Sequence, residues 1–242
     1  MLKLVKYDFR QDRDKFLAVF VIVILAQIGL GFTKLHDYER FTMNAITYVI
    51  AGMILLVMAA RTFFHNINSY NRRLVPIRTL NTVLSPLVLY LVLLLGIIFV
   101  ALIHLGVYIS MYSTSFLPEN FWTVGSLVLL QVYWFSGYMM LTLMFAITVA
   151  RSIKFKGRVW IGLATAYLLQ NGVSYLENLF FKSNFTAWES LFQFEIINES
   201  DIPNGIQLIQ GHVNLGPMLF ELVIAVLLIA AIIKLVKKRV ES

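Results

Sequence analysis

The 242-residue chain is 59% hydrophobic and 14% charged, with a mean hydropathy of +0.78. A water-soluble domain carries about 25% charged residues, so the composition excludes one and predicts an all-α polytopic membrane protein. With no cysteine there is neither a disulfide framework nor a thiolate metal site, and the net charge of +7 suggests nucleic acid only until its distribution is counted.

The chain opens with MLKLVKYDFRQDRDK, in which Leu2, Val5, Phe9 and Phe16 recur at helical spacing and Lys3, Lys6, Arg10 and Arg13 lie mainly off that stripe. This pattern predicts an interfacial helix over 1–15 resting on an anionic leaflet, with a solvated basic tail as the alternative. The apolar run that follows is not trailed by an A-x-A-like cleavage site and is read as a retained first span.

Crossing the hydrocarbon takes about 20 apolar residues. Six stretches qualify, at about 16–33, 41–61, 83–112, 121–150, 159–180 and 216–236. The third and fourth are longer than a perpendicular helix needs, so they are expected to tilt or to project. Pro86 and Pro217 are read as lying near the starts of the third and sixth spans, where a missing amide costs least. The chain shows no internal repeat and no low-complexity segment, and reads as a single transmembrane domain over 1–242.

Orientation follows from Lys and Arg. Segments 1–15, 61–82, 151–158 and the end from Lys234 onward hold all of them except Lys34, Arg40 and Lys182. Both termini are therefore expected in the cytoplasm, and the basic balance is explained without nucleic acid. The external segments become 34–40, 113–120 and 181–215. In the last, Thr186-Ala-Trp-Glu189 matches a capping box and Phe185, Trp188, Phe192 and Ile196 share a helical face. That predicts a short helix, followed by an irregular stretch from Asn198 to Gly216.

Between the second and third spans lies RTFFHNINSYNRRLVPIRTLNT, Arg61 to Thr82. Phe63, Ile67, Tyr70 and Leu74 fall at helical spacing until Pro76 ends the pattern. A short amphipathic helix held beneath a membrane by two spans suits the docking of a soluble partner.

Enzyme chemistry finds no support in the motifs. H-E-x-x-H, G-x-S-x-G and G-x-x-x-x-G-K-[ST] are absent, and His36, His65, His104 and His212 lack metal-ligand spacing. Polar residues inside the spans are few. Glu177 and Glu221 are placed near the outer boundary, which counts against ion coupling. The Gln170-Asn171 pair, with Tyr133, Trp134 and Tyr138 of the fourth span, lines a possible substrate path or, alternatively, packs helix against helix. Glu189, Glu195, Glu199 and Asp201 offer a similar choice between attracting a cationic peptide and being the ordinary acidic remainder of that side.

Taken together, the basic lead-in KLVKYDFRQDRDKF, the six spans, the loop ending in LVPIRTLNT and the larger segment before the last span resemble the permease subunit of ABC-2 type transporters. The likeness is to the short bacterial kind made separately from its ATPase. Leu74, Pro76 and Arg78 match the family's leucine-rich stretch, proline and following basic residue. Asn81 stands where the family often has lysine, and the loop lacks the acidic residue often found upstream of the proline.

The resemblance implies two permease subunits around a central path in a bacterial cell membrane. Each would rest its 61–75 helix in a groove of a cytoplasmic ABC ATP-binding subunit. Phe63, Phe64, Ile67 and Tyr70 would be the buried contacts and Arg72 and Arg73 the rim. ATP and Mg would bind in the partner, with no cofactor in this chain. It implies export of amphipathic peptides, antibiotics or lipid-like amphiphiles. The competing reading is a non-transporting membrane scaffold, sensor or immunity protein.

Overall fold

A computed structural model describes residues 1–34, 36–68, 79–111, 121–153, 157–181, 194–197, 207–210 and 215–240. Six long helices dominate: α1 (Leu2–Gly31), α2 (Asp37–Asn68), α3 (Thr79–Met111), α4 (Phe121–Ser152), α5 (Arg158–Phe181) and α6 (Leu215–Leu235). The last runs into a π-helical turn, Val236–Val240. Five of the six, all but α5, are long and apolar enough to cross a membrane. α5 has 24 residues but is less apolar, because Gln170, Asn171 and Glu177 interrupt it.

Outside the helices, β1 (Phe194–Ile197) pairs antiparallel with β2 (Gln207–Gln210), Phe194 opposite Gln210 and Ile197 opposite Gln207. This corrects two expectations. Ile196 belongs to a strand and not to a helix, and the stretch expected to be irregular contains β2. Phe185, Trp188 and Phe192 lie outside the described residues.

The lead-in is likewise not a separate element. α1 continues from it into the first apolar run through a kink at Asp12, where φ is −117° and ψ 17°. Neither proline nor glycine causes the bend. It falls in the polar run Arg10–Lys15, where backbone groups released from the helical ladder can meet water. Lys15 Nζ lies 2.5 Å from Asp12 Oδ1 across it. The stripe expected to face lipid turns partly inward instead: Phe9 stacks on the buried Phe16, and both Val5 and Phe9 pack on the main core. Leu2 alone of the stripe stays fully outside.

α3 begins at Thr79, so Pro86 lies inside the helix beyond its first turn, deeper than the sequence suggested. Pro217 does sit in the first turn of α6.

α1, α2 and α3 pack on one another, α4 packs on α2, α3 and α6, and α5 leans chiefly on α4 and α6. The main core joins Phe16 of α1, Leu55 and Phe63 of α2, Leu89 and Tyr90 of α3, Met140 and Met144 of α4 and Ile232 of α6. A smaller core of Tyr138, Val173 and Leu228 holds α5. A Cβ added at Gly162 would meet the Ala150 Cβ at 3.3 Å and the Ala146 carbonyl oxygen at 3.5 Å. Small residues thus let α4 and α5 approach closely, the usual device where lipid supplies no hydrophobic drive between helices.

Outside this packing the surface is apolar. Trp160, Leu163, Tyr167, Leu168, Leu179 and Phe180 project from α5, and comparable side chains from every other helix. Hydroxyls are closed off locally: Thr142 donates to the Tyr138 carbonyl, Thr148 to Met144 and Thr165 to Ile161. Such bonds satisfy the hydroxyls within their own helix, where water is scarce.

Candidate functional site

The antiparallel bundle gathers the basic segments at one end. The start of α1, the end of α2, the start of α3, the end of α4 and the start of α5 meet there. This basic end holds a feature that the sequence reading passed over. Asp8 is completely buried (0% exposed) among positive neighbours in sequence. Its carboxylate accepts a 2.6 Å hydrogen bond from Ser85 Oγ of α3 and a 3.2 Å bond from Asn66 Nδ2 of α2. One acid therefore ties three helices together. The signal was available, because Asp8 stands between Val5 and Phe9 on the apolar stripe, the wrong place for a solvated acid.

α2 continues without a break through Arg61 to Asn68, so the first part of the expected docking helix is the last two turns of a spanning-length helix. Its apolar residues divide. Phe63 (0% exposed) and Ile67 (4%) are inside the chain's own core. A side chain enclosed in this way presents its chain's core with its apolar surface and leaves little of it to a partner. Phe64 is 40% exposed, and the Arg151 guanidinium of α4 sits 4.1 Å from its ring centroid. Tyr70, Arg72, Arg73, Leu74, Pro76 and Arg78 lie outside the described residues. Where α2 passes the α1 kink, Gln11, Asp12, Lys15, Arg61, Thr62 and His65 line a polar cavity of about 220 Å³.

The path residues divide too. Tyr133 packs on the main core. Asn171 is exposed and its amide donates to the Tyr167 carbonyl of its own helix at 2.8 Å, while Gln170 is half-buried. Trp134 and Tyr138, one turn apart on α4, are turned toward α6 and α5. Trp134 Nε1 donates a 2.8 Å hydrogen bond to Glu221 Oε2 of α6. Tyr138 lies in the smaller core with Val173 of α5 and Leu228 of α6.

Both carboxylates are buried, Glu177 at 2% exposed and Glu221 at 5%. Placement near a helix boundary does not reveal this burial. Helix length explains why. Glu221 is six residues into α6, roughly 9 Å along its axis. α4, with 32 residues, extends far enough past the start of α6 for its middle to reach that level. Next to Trp134, an apolar cavity of about 220 Å³ is lined by Met218, Leu219 and Leu222.

Chemically, Glu221 is a buried acid held by an indole N–H beside an apolar wall, Tyr138 a buried phenol one turn along α4, and Glu177 a buried acid of α5. Among the described residues no three His, Asp or Glu side chains gather into a metal-binding set. Comparison with protein-family models, with curated proteins and with solved structures finds no match to the chain.

Proposed function

We propose that this chain is the membrane-spanning permease subunit of an ATP-driven exporter of the ABC-2 kind, paired with a second permease and powered by a separate cytoplasmic ABC ATP-binding subunit. In this reading α5 is a sixth span. Its 24 residues extend roughly 36 Å, more than the hydrocarbon core of about 30 Å, and its outward face is apolar. Both termini and the basic end are then cytoplasmic, in keeping with the Lys and Arg distribution.

The observation that carries the reading is at the basic end. The connection from α2 to α3, with its Leu74, Pro76 and Arg78, leaves a helix that is locked into the core through Phe63 and Ile67. A load applied to such a helix is transmitted to the bundle, whereas a loosely tethered loop would absorb it. Phe64 is the aromatic that remains outside, and with Tyr70 it forms the expected anchor for the ATPase. ATP and Mg belong to that partner, since this chain has no P-loop. The substrate expected is an amphipathic peptide, antibiotic or lipid-like amphiphile.

The test is to identify whether an ATPase with Walker motifs is encoded beside this chain and to reconstitute the chain with it. A Phe64→Asp/Tyr70→Asp double variant that inserts normally should bind the ATPase at least about tenfold more weakly, as expected for lost aromatic anchors. Undiminished association would remove the docking assignment, and a neighbouring gene without Walker motifs would remove the exporter reading.

A further inference from the structure

We infer that the polar cavity beside the α1 kink is a binding site for the phosphate group of an anionic phospholipid, whose hydrocarbon chains lie along the exposed apolar stripe of α2. The inference is independent of the exporter reading and needs only a chain that crosses a membrane.

The lining of the cavity is rich in cations and donors. Lys15, Arg61 and His65 contribute to it, together with Gln11, Thr62 and the acid Asp12. Lys15 Nζ takes up Asp12 Oδ1 across the kink. Among the described residues neither Arg61 nor His65 forms an ion pair. The acid is thus balanced within the cavity, and the charge of Arg61 is left over. Thr62 spends its hydroxyl proton on the Met58 carbonyl at 3.1 Å. The remaining donors of the lining are the Gln11 amide, the Lys15 ammonium, the Arg61 guanidinium and an imidazole N–H of His65. Several donors with surplus positive charge suit phosphate oxygens, and a guanidinium matches them two at a time.

Position in the bundle selects the source of the phosphate. On α2, Ile50, Met53, Ile54 and Val57 are exposed at helical spacing, and Arg61 and His65 continue that stripe in steps of four. On α1, Lys15 is followed by the exposed Leu17, Val21 and Ile22. The cavity therefore stands where the outer surface of both helices changes from apolar to basic, the level of lipid head groups. At about 220 Å³ it is smaller than the roughly 300–1,000 Å³ of pockets that enclose whole organic ligands. It admits a head group and leaves the hydrocarbon outside. A free phosphate would gain nothing from the stripe, and a choline lipid brings its own cation to compete with Arg61. A lipid of net negative charge gains from both stripe and cavity, as in other basic pockets between spanning helices.

The experiment titrates the purified full chain in detergent with dioctanoyl phosphatidylglycerol and reads thermal unfolding. Dioctanoyl phosphatidylcholine and sodium phosphate serve as controls. At ten times its Kd, phosphatidylglycerol should raise the Tm by about 3–6 °C, with no comparable rise from either control at the same concentration. Arg61 is exposed, so Arg61→Gln should stay folded, and it should weaken phosphatidylglycerol binding about fivefold or more. Arg13→Gln removes the same charge from an exposed position outside the cavity and should weaken binding less than about twofold. Equal weakening by the two variants would reduce the effect to general surface charge, and equal stabilisation by inorganic phosphate would remove the lipid. Equal stabilisation by phosphatidylcholine, or none by phosphatidylglycerol, would remove the site. Each of these results overturns the inference. Because no ATPase is present, failure here leaves the exporter reading standing, and failure of ATPase docking leaves this site standing.

Discussion

Asp8 and Glu221 are both buried carboxylates in a mainly apolar bundle, but they are kept in different ways. Asp8, at the basic end, is completely buried and held by donors from two other helices. Glu221 has one donor, the Trp134 indole, and an apolar cavity opens next to that partner. A carboxylate surrounded by donors fixes geometry. One held by a single donor is less firmly fixed.

The contrast can be broken by substitution. Asp8→Ala should have the largest effect, because it strands the Asn66 amide and the Ser85 hydroxyl in a closed site. A loss of about 2–4 kcal/mol in unfolding free energy is expected, with Asp8→Asn recovering part of it. A loss below about 0.5 kcal/mol would mean that water already serves the three groups. Next comes Ser85→Ala, which removes the shorter of the two bonds and leaves the acid under-solvated; it should cost about 1–2 kcal/mol. The smallest change is expected from Glu221→Gln, within about 0.5 kcal/mol of wild type or slightly stabilising, since a buried charge is removed and the bond from Trp134 is kept. A loss above about 2 kcal/mol would place Glu221 in the same class as Asp8 and end the distinction.

Much of the helical layout was legible in the chain because hydropathy is a local sum. Runs of Leu, Ile, Val and Phe long enough for a bilayer announce themselves wherever they pack. The weakest run was α5, where Gln170, Asn171 and Glu177 dilute the signal. Legibility failed where the answer depended on what lies opposite. The spacing of Phe63 and Ile67 showed a stripe, but a stripe that enters the chain's own core looks the same in sequence as one that awaits a partner. Likewise, β1 and β2 exist through each other, and the helical spacing ending at Ile196 could not reveal a partner at Leu208.

From sequence alone, then, came the lipid-compatible composition, the positions of the apolar runs, the concentration of Lys and Arg at one end, and the absence of a nucleotide-binding motif. Each is a property of residues taken singly or over a short window. Tertiary structure alone decided that Asp8 is a three-helix tie, that Phe63 is internal while its neighbour Phe64 is not, and that Trp134 meets Glu221. These follow from helix crossings that join residues up to 87 positions apart. Burial and pairing of polar groups are relations between distant residues, and no local pattern carries them.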